Sequence, residues 1–359
     1  MRQIASNRDT RPVAIWIMIG VAMLLVQVIL GGITRLTGSG LSITEWDVVT
    51  GALPPLNEQQ WLAEFHKYQQ TPQYLLINSD FDLHNFKFIF FWEWFHRFWG
   101  RLIGVAFLIP FVIFIVQGRI KKEMIPSLLI LFLFGAIQGV IGWIMVKSGL
   151  TGDAIYVEPT KLALHFVFAL GLISLVLWVG LKWLMSSTGM KYSLLKSLTS
   201  IIIVILFVQL IFGALMAGHK AANAAPTWPS INGDAIPPGM FRDRPLMLNF
   251  IDNTITIHFV HRGIAYLLFA LICFWTILAL RMKNVIPSFD KSSLVPFVLV
   301  FIQILLGILT VISSPHIIAN HWGTFEWLAL LHQIVGMLLL LSMIWMLYLL
   351  TPKRGTQQL

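Results

Sequence analysis

The chain has 359 residues, 57% of them hydrophobic and only 11% charged, with a mean hydropathy of +0.79. A water-soluble fold of this size cannot hide that much apolar surface, so the composition implies the bilayer as solvent and excludes a soluble enzyme. The formal charge of +9 invites a nucleic-acid partner, but the placement of the charges excludes one.

Apolar runs of about 20 residues, the length that crosses a hydrocarbon core, predict an all-α polytopic membrane protein. Its transmembrane helices are expected over 13–33, 86–117, 124–147, 160–184, 195–217, 253–281, 293–314 and 325–350. The first run is too long for a signal-peptide core and lacks a cleavage pattern, so it reads as a retained helix. No Arg/Ser-rich presequence precedes it, which favours a bacterial inner membrane over an organelle. Of the 25 Lys and Arg, 14 fall on one side against three acids (Asp9, Glu123, Asp290), leaving 11 basic and 13 acidic residues elsewhere. The positive-inside rule then places both termini in the cytoplasm. The single cysteine, Cys273, lies within a helix and allows no intrachain disulfide.

Two halves, 1–190 and 191–359, repeat one another. Val26-Gln27 followed by Gly31 matches Val208-Gln209 followed by Gly213, and Trp46 before Pro54-Pro55 matches Trp228 before Pro237-Pro238. Phe95-His96-Arg97 matches Val260-His261-Arg262. Gln138, Gly142 and Ser148 match Gln303, Gly307 and Ser313 at an offset of 165 residues, and His165 matches His332 at 167. Four helices per half means that both halves share one orientation. The expected architecture is two pseudo-symmetric four-helix bundles side by side, each with its own core site. Duplication alone fits a transporter as well as a cofactor protein; the histidines decide between them.

All ten histidines are expected on the outer loops or outer halves of helices, and His96, His165, His261 and His332 occupy repeat-equivalent places. A lone intramembrane histidine usually serves an interhelical hydrogen bond. Two matched pairs read differently: facing imidazoles can clamp an iron from both sides, as six-coordinate haem requires. Small residues beside them (Gly100, Gly104, Ala163, Ala169, Gly263, Gly336) leave room for a flat macrocycle, although they also serve ordinary helix packing. Zinc would need three or four ligands at one centre, and the repeat supplies two histidines per half. His258 stands close enough to His261 to compete as the ligand; the repeat favours His261.

The halves differ at one place. Glu93 precedes His96 by three residues, on the same helix face, where the second half has His258. Glu93 is either a shallow partner of Arg97 or Lys87, or a proton-handling group beside a reactive haem. Arg35, Arg97 and Arg262 near the aqueous edge are candidate partners of haem propionates, or anchors of helix ends. Trp92, Trp94 and Trp99 read as a structural aromatic belt. His66, His84, His219, His316 and His321 read as loop residues without a role.

The run Gly32-Ile33-Thr34-Arg35-Leu36-Thr37 with Ser39-Gly40-Leu41-Ser42, together with Glu93-Trp94-Phe95-His96-Arg97, Gly100-Arg101, His165 after Lys161, His261-Arg262 and His332, resembles the haem A synthases over nearly the whole chain. The resemblance implies haem b held between His261 and His332, and substrate haem O received between His96 and His165. It also implies Glu93 as the family's essential glutamate. The implied reaction oxidises the C8 methyl of haem O to a formyl group by successive hydroxylations and loss of water, supplying haem A to cytochrome c oxidase. Implied partners are a haem O synthase and an electron-transfer protein; self-association stays open. Some bacterial members carry a cysteine pair in the first outer loop. This chain has none and resembles the mitochondrial and alphaproteobacterial branch. The competing reading is a dihaem b-type quinol subunit, which uses the same histidines but needs no carboxylate.

Overall fold

The computed structural model describes residues 9–45, 50–185, 192–282, 287–318 and 321–351. Trp46 of the repeat, the boundary at 190/191, and Arg2, Arg8, Lys191, Lys283, Lys353 and Arg354 of the basic set lie outside them. The chain is an all-α polytopic membrane protein, with eight helices long and apolar enough to cross a bilayer among the described residues.

In chain order the helices are α1 (Arg11–Leu36), α2 (Glu58–Gln69), α3 (Pro72–Leu76), α4 (Leu83–Val116), α5 (Ile125–Gly149), α6 (Pro159–Leu184), α7 (Ser193–Gly218), α8 (Thr254–Leu280), α9 (Pro287–Ser292), α10 (Val295–Ser313) and α11 (Thr324–Leu349). The eight expected spans match α1, α4, α5, α6, α7, α8, α10 and α11, each end within three residues. Their starts are chemically marked. Proline in the first turn of α1, α5, α6 and α10 removes an N–H that has no helical partner there. Asp82 and Asn253 instead accept from the N–H of Asn85 and Thr256 at the starts of α4 and α8.

The short helices were not expected. In α2, Trp61, Phe65 and Tyr68 recur at helical spacing on one face of an otherwise polar segment. That face packs on the outer end of α4 through Phe86 and Phe90, with Tyr68 fully buried. Tyr68 accepts a hydrogen bond from Asn78 Nδ2 (2.7 Å), and burial pushes its phenol up to about 12. Lys67 closes the segment by donating to Glu45 (2.7 Å) and Glu64 (2.8 Å), which hold its ammonium above the ordinary lysine value.

In the first half, α1 packs on α4 and α6, and α5 packs on α6; in the second, α7 packs on α8 and α11, and α10 packs on α11 and α8. The halves join through α6 against α7 and α11, and α1 against α11. At that seam Gln333 Nε2 donates to the carbonyl of Val28 (3.0 Å), and a Cβ on Gly32 would stand 2.7 Å from the same amide nitrogen. A side chain at position 32 would have to displace the Gln333 amide. Indole donors bind α1 to α4: Trp16 to the carbonyl of Ala106 (2.8 Å) and Trp99 to that of Met23 (2.9 Å). Such bonds satisfy main-chain groups where lipid offers no alternative. One asymmetry matters for the site: α4 and α5 touch only sparsely, whereas α8 and α10 pack more closely.

Candidate functional site

Each repeat-equivalent histidine meets a glycine on a neighbouring helix. His96 (α4) rests on Gly31 (α1), His165 (α6) on Gly142 (α5), His261 (α8) on Gly213 (α7) and His332 (α11) on Gly307 (α10). A Cβ at these glycines would stand 3.2, 2.8, 3.2 and 2.9 Å from the nearest ring atom, respectively. Four residues before each glycine is a glutamine: Gln27, Gln138, Gln209 and Gln303. Spacing of i, i+4 puts the two on one helix face, so both reach the same histidine. Gln27 Nε2 donates to the carbonyl of His96 (3.2 Å) and Gln138 Nε2 to that of His165 (3.1 Å). Gln209 and Gln303 place their amide nitrogens 3.4 and 3.3 Å from Nε2 of His261 and His332.

The His261 and His332 rings lie 6.4 Å apart between centroids, with their planes at 71°. An imidazole nitrogen binds a metal at about 2 Å and the ring centre lies about 1.1 Å behind it, so two rings trans across one iron have centroids about 6.3 Å apart. That separation would allow both rings to hold one haem iron. Among the described residues, no group of three or more His, Cys, Asp and Glu converges. The buried Oε1 atoms of Gln27, Gln138, Gln209 and Gln303 have no hydrogen-bond partner. Each would cost about 1–3 kcal/mol if left so. Their recurrence beside the four histidines is what a core built around a further polar group looks like.

Glu93 sits in the N-terminal part of α4 and is 2% exposed. Its carboxylate accepts from Ser42 Oγ (2.7 Å), Ile43 N–H (2.8 Å) and Arg97 Nη2 (2.5 Å). Arg97 also donates to the carbonyls of Ile43 (3.2 Å) and Glu45 (3.3 Å). Glu93 and Arg97 thus latch the segment that follows α1 against α4. The shallow ion pair of the sequence reading becomes a buried one. In the second half Arg262 does the matching work, donating to the carbonyls of Ala225, Thr227 and Ser230 at 3.2, 2.7 and 3.2 Å. His258, where the first half has Glu93, is fully buried with neither ring nitrogen bonded. Arg97 and Arg262 spend these N–H groups on loop carbonyls, whereas the Arg35 side chain makes no hydrogen bond or ion pair among the described residues. A cavity of about 290 Å³ opens beside Arg97, lined by Ile43, Thr44, Glu45, Trp143 and Lys147. It lies where α4 and α5 part.

Two sequence assignments change. His66 lies in α2 and His84 in the first turn of α4, so neither is a loop residue. Of the tryptophans, Trp94 donates to the carbonyl of Ala52 (3.0 Å), tying a loop to α4 as the structural reading expects. The glutamines were seen only as repeat markers. Gln-x-x-x-Gly in all four odd-numbered spans, and not merely across the halves, was the pattern that could have found them.

The family described as COX15-CtaA, cytochrome oxidase assembly protein, matches residues 14–344. The chain is 44% identical over 299 residues to the heme A synthase of Parvibaculum lavamentivorans, covering 83% of this chain and 85% of that protein. It is 40% identical over 356 residues to the heme A synthase of Rhodospirillum centenum (97% and 91%). Against that of Methylobacterium radiotolerans it is 39% identical over 345 residues (94% and 89%).

Proposed function

The chain belongs to the COX15-CtaA family of cytochrome oxidase assembly proteins, and on that premise we propose that it is a haem A synthase, an oxidoreductase of the membrane that converts haem O to haem A. The change is oxidation of the C8 methyl group to a formyl group through successive hydroxylations and loss of water. The product serves cytochrome c oxidase. The observation that carries the reading is the His261–His332 ring pair, 6.4 Å apart between centroids, which could hold one iron between them. A matched pair, His96 and His165, occupies the first half on α4 and α6.

The halves divide the labour. His261 and His332 hold haem b, which supplies electron transfer when bound. His96 and His165 hold the substrate haem in the half that has the carboxylate and the looser α4–α5 contact. Glu93 handles the proton at the substrate, its carboxylate aimed by Ser42 and Ile43. Arg97 balances its charge in the low-dielectric interior. Both termini face the cytoplasm and both haem sites lie toward the outer surface. Haem O arrives from a haem O synthase, and an electron-transfer partner completes the oxidation.

The test is purification in detergent, a reduced-minus-oxidised spectrum, and chromatography of the extracted haems. Haem b together with haem O or haem A is expected. Haem b alone would instead make the chain a dihaem quinol cytochrome, and a colourless protein would make it a transporter.

Arg35, whose side chain makes no hydrogen bond or ion pair among the described residues, would bind a propionate of the substrate haem. A hydrogen bond to a charged group is worth about 1.5–3 kcal/mol, so Arg35→Met is expected to lower bound haem O at least about tenfold. Haem O content measured after extraction checks this, and an unchanged content removes Arg35 from the substrate site.

A further inference from the structure

The four glutamine–glycine pairs repeat with the histidines, and at His332 their chemistry is complete. His332 Nδ1 lies 3.0 Å from the backbone carbonyl of Gln303. A carbonyl can only accept, so Nδ1 carries the proton and Nε2 keeps its lone pair. The side-chain amide of the same Gln303 donates to that lone pair at 3.3 Å. One residue therefore addresses both nitrogens of the ring.

Glycine makes this reach available. In a helix the carbonyl of residue i is flanked by the side chain of residue i+4, and with glycine there its second lone pair is open to a neighbour. The Cβ absent from Gly307 would sit 2.9 Å from His332 Cε1 and 3.4 Å from Nδ1. His261 and His165 lay the same Cε1–Nδ1 edge on Gly213 and Gly142. His96 differs, since its Nε2 edge faces Gly31 at 3.2 Å.

We infer that Gln303-x-x-x-Gly307 is a histidine seat for His332, and that Gly213 and Gly142 admit the rings of His261 and His165 without the carbonyl bond. Gly307 admits the ring, and the Gln303 backbone carbonyl takes its Nδ1–H, which leaves Nε2 as the ligating nitrogen. These are positioning residues, and the inference rests on the assignment of His332 to haem b. The amide of Gln303 and an iron need the same Nε2 lone pair, so only one of those contacts exists at a time. The side-chain amide is thus dispensable for ligation, and the glycine is not.

The experiment compares Gly307→Ala, Gln303→Leu, His332→Ala and Gly135→Ala in the full-length protein. Gly135 has open space where a Cβ would go. Haem b content, midpoint potential and the low-spin ferric resonance are measured on each. Disturbing an outer partner of a metal ligand costs about 10–100-fold in affinity. Gly307→Ala is expected to lose haem b by about tenfold or more. Haem that remains should show a raised potential, because a weaker Nδ1–H bond makes the imidazole a poorer donor to ferric iron. Gln303→Leu and Gly135→Ala should match wild type. If Gly307→Ala does not accumulate in the membrane, Gly213→Ala tests the glycine's part at His261 with a milder 3.2 Å approach: about tenfold less haem b is expected, and wild-type content overturns the role of the glycine. Wild-type content, potential and resonance in the glycine variant overturn the seat when His332→Ala has lost its haem b. An unaltered haem b spectrum in His332→Ala overturns the ligand assignment beneath it.

Discussion

Haem A output at least about 100-fold below wild type, with both haem sites still loaded, is the expected result of Glu93→Gln. The substitution keeps the shape of the side chain and its ability to accept from Ser42 and Ile43, which now lie 2.7 and 2.8 Å away. It removes the proton acceptor and the charge that faces Arg97. Breaking one partner of a buried ion pair costs about 3–5 kcal/mol, and here the carbonyls of Ile43 and Glu45 still receive Arg97 and reduce that cost. Two failures are therefore separable. A failed latch shows as loss of bound substrate haem, whereas a failed proton step shows as unconverted or partly oxidised haem at full occupancy. Extraction and chromatography of the bound haems reads both. Normal haem A production from this variant removes Glu93 from the reaction.

The eight spans were legible because lipid imposes a length and a composition on every crossing, so each end could be placed within three residues. The four histidines were legible because an ordered repeat picked them out of ten. The 12-residue α2 was missed for the opposite reason: its apolar face holds a few aromatic residues on a polar helix, far below the hydropathy of a span. Glu93 was placed beside His96 from spacing, but its partners Ser42 and Ile43 are about fifty residues away in sequence and come together only through folding. Arg97 and Arg262 show the limit of reading charge without geometry. By type and position each is a propionate partner or an anchor of a helix end, and the loop carbonyls that both bind emerge only from the fold. The glutamine–glycine pairs were written in the sequence throughout, but their meaning needs the neighbouring helix. A glycine reads as small until a ring is seen resting on it.

His261→Ala and His332→Ala are each expected to strip haem b from the protein, with content at least about tenfold below wild type. The two rings face each other at 6.4 Å, and each is carried by a helix packed within the second half. Removing either leaves a single donor, and alanine fills none of the space the ring occupied against Gly213 or Gly307. His165→Ala is the informative contrast. Its ring lies on α5, in the other half, so haem b and its reduced bands should persist while bound haem O falls. The halves are nonetheless in contact one residue from a ligand, where Gln333 reaches the Val28 carbonyl of α1. A conversion that needs electrons from haem b must then stop in His332→Ala even though His96 and His165 are intact. Haem O should remain bound and haem A should be absent. Reduced-minus-oxidised spectra and extracted haem content, read together on the three variants, decide it: haem A formed without haem b breaks the division of labour between the halves, and haem b lost in His165→Ala breaks the assignment of ligands to halves.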